Sequence, residues 1–245
     1  MKICLYLLSL LYTIVSFSQA SEIAAEIEYK IFNNTAKPNT MFCTMFVNGT
    51  STIYLTKYSS KTYIDPDKSA SIIREESFID EKYIKIDHAN KNILAFEPIG
   101  RTMMLVEDTY NKLDWKVTQE AKQISGYNCV KATTSYRGRD WVVWFTPDIP
   151  LPYGPWKLHS LPGLIIEATE TTDTYTWRIE KIEYKKSVIF SKDFKDLVVT
   201  KNTAPISKKQ YVEDEAEYMD NVFARMGGTS TKTIRAGYEL QYEWE

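Results

Sequence analysis

The chain has 245 residues, 44% hydrophobic and 25% charged, with a formal net charge of −2. That balance offers no electrostatic attraction to nucleic acid or to anionic lipid, so neither is expected as a partner. Only two histidines and three cysteines are present, which leaves few ways to assemble a metal centre or a histidine-based catalytic site.

Met1 and Lys2 precede an apolar run from Ile3 to Val15 and the small, polar stretch Ser16 to Ala20. This is the order of n-region, h-region and cleavage site in a signal peptide, predicted over residues 1–20. The run is shorter than the roughly 20 residues that cross a bilayer, and no basic stop-transfer cluster follows it. No transmembrane anchor is therefore expected. Cys4 opens the apolar run instead of following it, so it cannot carry a lipoprotein lipid. Cleavage removes one lysine and no acid, taking the net charge from −2 to −3. Residues 21–245 then read as a single β domain exported to the periplasm or beyond.

Short segments rich in Val, Ile, Thr, Tyr, Phe and Trp, separated by turn residues, predict a meander of strands. The first is Ile23 to Phe32. Met41 to Val47 and Thr52 to Lys57 flank Asn48-Gly49, a tight-hairpin signal. From Tyr63 to Asp80 the alternation fades, which predicts a surface excursion. Tyr83 to Ile86, Ile93 to Phe96 and Met103 to Val106 resume it, with His88 in a turn and read as a surface residue. Lys112 to Lys122 fits either a strand or a connecting segment. Asn128 to Tyr136 and Asp140 to Thr146 form a hairpin around the three-residue loop Arg137-Gly138-Arg139. Pro147, Pro150, Pro152, Gly154 and Pro155 then exclude a central strand and predict an ordered, extended loop. Leu164 to Glu170 and Tyr175 to Tyr184 make a second hairpin. From Lys208 to Met226 the spacing turns helical, with Tyr211, Val212, Ala216, Met219, Val222 and Phe223 on one stripe packing against the sheet. Tyr238 to Trp244 alternates again, as an edge strand would.

Three segments in order carry a family resemblance: Gly126-Tyr127-Asn128-Cys129-Val130-Lys131-Ala132; Gly138-Arg139-Asp140-Trp141-Val142-Val143-Trp144-Phe145-Thr146; and Pro150, Gly154-Pro155 and Leu161-Pro162-Gly163-Leu164-Ile165. The series resembles the signature of the GLPGLI family, exported Bacteroidetes proteins without an established function. Ser160 stands where that motif has its first Gly; a positive φ there would strain a serine or force another turn. The resemblance implies an exported bacterial protein with an open, strongly curved antiparallel sheet, similar to the half-barrels of periplasmic lipoprotein carriers. It implies no reaction. Physically, Trp141, Val143 and Phe145 fall on one face of a strand and Val142 and Trp144 on the other, so both faces are expected to be covered. The proline-glycine loop is read first as packing and second as the lining of a ligand site.

Cys43 and Cys129 both fall in strands and are read either as a disulfide, which needs their strands adjacent, or as two separately buried thiols. No nucleophile elbow, phosphate-cradling loop or dinucleotide fingerprint is present, and no cofactor is expected. Adjacent acids such as Glu75-Glu76 and Glu213-Asp214-Glu215 diverge on a strand or helix and read as solvated faces. The leading functional expectation is a non-enzymatic envelope protein that binds an apolar small molecule in the concave sheet face, or an envelope protein partner. The alternatives are an accessory protein without a pocket, and an enzyme in which His159 or Cys129 meets acids distant in sequence.

Overall fold

The computed structural model describes residues 23–36, 38–57, 81–187, 204–227, 235 and 237–245. The segments for which a signal peptide (residues 1–20) and a surface excursion (residues 63–80) are predicted lie outside these residues.

Among the described residues twelve strands form one sheet: β1 (Ala24–Asn33), β2 (Asn39–Asn48), β3 (Ser51–Lys57), β4 (Glu81–Asp87), β5 (Asn92–Ile99), β6 (Thr102–Asp108), β7 (Lys116–Ile124), β8 (Tyr127–Tyr136), β9 (Arg139–Thr146), β10 (Leu164–Glu170), β11 (Tyr175–Lys185) and β12 (Ile206–Ser207). Their spatial order is β12-β6-β5-β4-β3-β2-β1-β11-β10-β9-β8-β7. Two meanders, β1 to β6 and β7 to β11, are thus joined where β1 pairs with β11. Every pairing is antiparallel except β12 with β6. The sheet is curved and open, a mainly β fold with one helix among the described residues, as the alternation predicts.

Alternation sets the two faces. Ile27, Tyr29 and Ile31 of β1 are fully buried, whereas Phe32 is exposed. The register continues the inner row from Ile27 through Met45, Tyr54, Ile84 and Ala95 to Val106. Opposite them, Leu55 and Tyr83 gather Phe46, Ile53, Leu94, Phe96 and Leu105 into a separate apolar cluster.

The inner face is covered by chain without regular structure. Residues 147–163, rich in proline, form a strap whose Ile149, Leu151, Tyr153, Trp156, Leu158 and Leu161 are buried in the main core. Backbone bonds from Ser160 N–H to Pro152 O (2.8 Å), Leu164 N–H to Ile149 O (3.0 Å) and Ile165 N–H to Tyr153 O (3.0 Å) hold it closed. Its end requires glycine: a Cβ on Gly163 would sit 2.1 Å from the Thr146 carbonyl oxygen, and backbone cannot yield as a flexible side chain can. Ser160, the departure from the glycine-bearing motif, does adopt φ +72°. The expected strain at that position is therefore present and is held by the strap.

Three sequence expectations change, and one left open between two readings is decided. Arg137-Gly138 is a two-residue turn with both φ values positive (48° and 77°), matching sheet twist, and Arg139 already belongs to β9. The helix, α1 (Lys208–Arg225), is capped by Ser207, whose Oγ accepts from Gln210 N–H at 3.1 Å. Only Lys208, Tyr211 and Val212 of it are buried; Phe223 and Met226 are exposed, so two turns dock and the rest projects. Residues 238–244 form no strand but cross the inner face, with Leu240 and Gln241 N–H both donating to Arg137 O. Finally, Cys43 and Cys129 are free and buried. β2 and β8 are separated by β1, β11, β10 and β9, five strand steps of roughly 4.8 Å, too far for a bridge. The thiols stand separately, and burial pushes Cys43 up to about 12 and Cys129 to about 11, which leaves neither a nucleophile at neutral pH.

Candidate functional site

The strap and the C-terminal segment bring aromatic side chains from distant parts of the chain together. Trp141 and Trp177 (ring centroids 5.3 Å apart), Trp156 (5.7 Å from Trp141) and Tyr238 (4.8 Å from Trp177) form a continuous cluster, each pair contributing about 0.5–1.5 kcal/mol beyond its buried area. Trp177 Nε1–H donates to Tyr54 Oη at 2.8 Å, and Tyr29 Oη–H donates to Ile165 O at 2.8 Å, so strand, strap and sheet are also pinned by polar handles.

Beside this cluster lies a buried network of charges. Arg137 reaches from its turn into the interior and forms a two-pronged pair with Asp108, at 2.7 and 3.0 Å. It also meets Glu239 at 2.7 Å and Glu243 at 2.9 Å. Lys157 of the strap binds Asp108 and Glu239, each at 2.5 Å. Lys208, at the start of α1, binds Glu97 at 2.9 Å and Glu239 at 3.2 Å. Burial alone would raise the Asp108 and Glu239 carboxyls, but Lys157 with Arg137, and for Glu239 also Lys208, hold both below the usual carboxylate range. Burial alone would likewise lower Lys157, and Glu239 and Asp108 raise it. Three cations thus face buried Asp108, partly buried Glu97 and Glu239 and exposed Glu243, which leaves one negative charge in excess at the solvent end of the network.

A half-open cleft of about 400 Å³ remains between sheet, strap, helix and C-terminal segment, within the roughly 300–1,000 Å³ of small-molecule sites. Its walls include Tyr54, Trp156, Tyr175, Tyr211, Tyr238 and Tyr242, and its floor Glu97, Lys157, Lys208 and Glu239. Asn33 and Asn39, paired across β1 and β2, stand on its rim with Tyr175, the β11 partner of Asn33. Asn33 Nδ2–H donates to Asn39 Oδ1 at 2.7 Å. Asn33 Oδ1, in a side chain left 8% exposed, has no partner.

A second polar cluster unites both histidines of the chain. His88 Nε2 lies 3.1 Å from Thr52 Oγ1 and His88 Nδ1 3.1 Å from Tyr110 Oη. Tyr110 Oη is 3.3 Å from His159 Nδ1, which is 2.6 Å from Ser160 Oγ. His88 stacks on Tyr153 and His159 on Tyr110. The expectation that His88 is a surface residue is corrected: it is half-buried against the strap. Burial takes both imidazoles down to about 4, so they are neutral at pH 7 and fixed between hydroxyls. No cluster of three or more His, Cys, Asp or Glu able to hold a metal occurs among the described residues.

The signature residues divide by position. Gly126 (φ +86°) makes the β7–β8 turn, Tyr127 opens β8, and Ala132, Trp141, Phe145, Thr146, Leu164 and Ile165 are core. Lys131 pairs with Glu120 on the neighbouring strand, and Trp144, half-buried, carries Lys122 Nζ at 4.1 Å over its ring. Arg139 donates to Gly237 O at 2.8 Å and lies over the Tyr175 ring, tethering the C-terminal segment. Gly154 presses on Ile165, Pro155 and Leu161 are buried in the strap, and Pro150 and Pro162 face outward. The signature builds the strap and its seat, while the cleft draws on it only through the neighbouring Trp156 and Lys157. Asn33, Tyr54, Lys208 and Glu239 carry no local sequence signal, since only the fold brings them together.

Comparison with known proteins adds three findings. A family model described as the N-glycanase peptide, N-terminal domain, matches residues 27–203. Two solved structures of PNGF-II superpose with TM-scores of 0.54 and 0.52 at 20% and 19% identity, each covering 80% of this chain but 33% and 34% of theirs. This chain therefore spans about a third of the length of those proteins, and at that identity the likeness is one of fold. A putative outer membrane lipoprotein-sorting protein domain from Vibrio parahaemolyticus covers 79% of this chain and 96% of its own, with TM-score 0.33 and 9% identity, too distant to carry an argument. No curated protein gives a significant sequence match.

Proposed function

The chain belongs to the family of the N-glycanase peptide, N-terminal domain, and from that premise we propose that it is a non-enzymatic accessory domain that binds a ligand in the cleft of its inner sheet face. The observation that carries this reading is the cleft itself: walled by aromatic rings, floored by charges that already neutralise one another, and of small-molecule size. Among the described residues the hydrogen bonds of both imidazoles run to hydroxyls, and both thiols are held protonated by burial, which favours binding over catalysis. Export through a signal peptide over residues 1–20, and service in a bacterial cell envelope as the GLPGLI-like series over Gly126 to Ala168 implies, belong to the same proposal.

An entirely apolar ligand fits less well than sequence reasoning suggests, because the strap and C-terminal segment fill most of the inner face and leave a cleft that is half polar. Burying a carboxylate or ammonium beneath a hydrocarbon tail would cost solvation that nothing returns.

Native mass spectrometry of the full chain isolated from its own cell envelope tests the proposal. A small-molecule mass that is lost when Met41→Trp narrows the cleft supports it. A chain that carries no added mass, or that itself releases glycan from an N-glycosylated protein, overturns it.

A further inference from the structure

Residues 237–245 lie across the inner face without joining the sheet, and they are fastened as a bound peptide is. Leu240 and Gln241 N–H share one acceptor, Arg137 O, at 2.8 and 3.2 Å, where an edge strand would form a ladder. Side chains supply the rest of the grip. Arg139 Nε–H donates to Gly237 O at 2.8 Å. Tyr238 sets its ring among Tyr175, Trp177 and Trp156, with centroids 4.7, 4.8 and 5.6 Å away. Glu239 faces Arg137, Lys157 and Lys208 at 2.7, 2.5 and 3.2 Å. The Arg137 guanidinium lies 5.1 Å from the Tyr242 ring centroid, and Glu243 accepts from Arg137 Nε–H at 2.9 Å and from Asn111 Nδ2–H. Gln241 and Trp244 are exposed, so the segment has one face on the protein and one in water. We infer that this seat is a binding site for an extended peptide segment of a partner protein, carrying aromatic–acidic pairs spaced as Tyr238-Glu239 and Tyr242-Glu243 are, and that residues 237–245 occupy it in cis until the partner displaces them.

Three features select this partner, independently of the small molecule proposed for the cleft. The first is charge. Without the segment, Arg137, Lys157 and Lys208 face only Asp108 and Glu97, three cations against two acids, so the vacated seat draws an acidic segment and leaves a neutral or basic one with an unmatched buried cation. The second is spacing. One guanidinium, that of Arg137, touches both Glu239 and Glu243, which ties the two acids to a fixed step, while the tyrosine between Tyr175 and Trp177 sets the register. The third is access. Gly237, Tyr238, Glu239 and Tyr242 form one wall of the half-open cleft, so the inward contacts of the segment border open space from which an incoming chain can replace them one after another. Displacement leaves the sheet whole, because none of residues 237–245 is in a strand. It exchanges like contacts for like, so concentration decides the winner: a tethered segment competes at an effective concentration on the order of millimolar.

The probe is a fluorescein-labelled peptide with the sequence of Gly237 to Glu245, titrated by fluorescence anisotropy against the full wild-type chain and against the full chain carrying Tyr238→Ala and Glu239→Gln. The double variant loosens the cis segment and leaves the seat unchanged. It is expected to bind the peptide about tenfold or more tightly than wild type, because cis competition is relieved, and to bind a Glu239→Gln version of the peptide about tenfold or more weakly. Absence of saturable binding to a double variant that keeps a cooperative thermal transition overturns the proposal, and so does equal affinity for the two peptides. If the double variant does not fold, hydrogen exchange on the wild-type chain decides. In millimolar peptide the Leu240 and Gln241 amides are expected to lose protection while those of Ile27, Tyr29 and Ile31 in β1 keep theirs. Protection at Leu240 and Gln241 that the peptide leaves unchanged marks a permanent tie and overturns the proposal.

Discussion

Ser160 and the two histidines show how single residues are set by what surrounds them. Ser160 sits at φ +72°, a conformation that costs a residue with a Cβ about 1–2 kcal/mol, and its hydroxyl faces His159 at 2.6 Å. Ser160→Gly removes the strain and the hydrogen bond together, whereas Ser160→Ala keeps the strain and loses the bond. The glycine variant is expected to be more stable than the alanine variant by about 1 kcal/mol, measured by urea unfolding. His88 and His159 make stability depend on pH in one direction. Their folded pKa values, about 4, lie below the unfolded value of 6.5, so the unfolded chain binds more protons between these values. Their contribution is complete above about pH 6.5 and is lost as the pH falls toward 4, with a slope of at most about 1.4 kcal/mol per unit for each histidine and less for the half-buried His88. Thermal midpoints across that window should fall on acidification, and the fall should flatten in His159→Gln.

Among the elements, period-two alternation was legible wherever a strand has one face on the core, as in β1, β9 and β11, because there a single residue's polarity reports its side. It misleads at residues 238–244. Their alternating Tyr238, Leu240 and Tyr242 arise from lying across an aromatic surface, with Tyr242 and Trp244 stacked 4.6 Å apart, and not from a ladder. Helical spacing was equally legible in α1, but a stripe says which face is apolar and not how much of it meets a partner. Tyr211 is buried, with its hydroxyl donating to Pro98 O at 2.9 Å, whereas Phe223 is exposed. Tyr211→Ala should cost about 3 kcal/mol and Phe223→Ala less than about 0.5, a contrast readable in denaturation midpoints. The cleft and the charge network were not legible at all. Lys157, Lys208, Asp108 and Glu239 look like solvated residues in any local window, and their burial follows from contacts between segments far apart in sequence.

For the molecule as a whole, Arg137 is the point where β6, the β8–β9 turn and the C-terminal segment are tied together, with Lys157 adding the strap. Removing one member leaves the others charged and buried. Arg137→Met is therefore expected to destabilise the protein by about 3–5 kcal/mol, measured by urea unfolding, and to release residues 237–245, whose amides at Leu240 and Gln241 should lose protection from hydrogen exchange.

The junction of β1 with β11 has a consequence in time. The first strand to emerge from a ribosome or a translocation channel lies at the middle of the finished sheet, and the neighbour that completes it is among the last to appear. Until β11 arrives, Ile27, Tyr29 and Ile31 stand on an open edge with half of their ladder unmade. An unguarded apolar edge invites pairing with other chains. A chaperone that shields the nascent N-terminal half would therefore be needed longer than the length of the protein alone suggests.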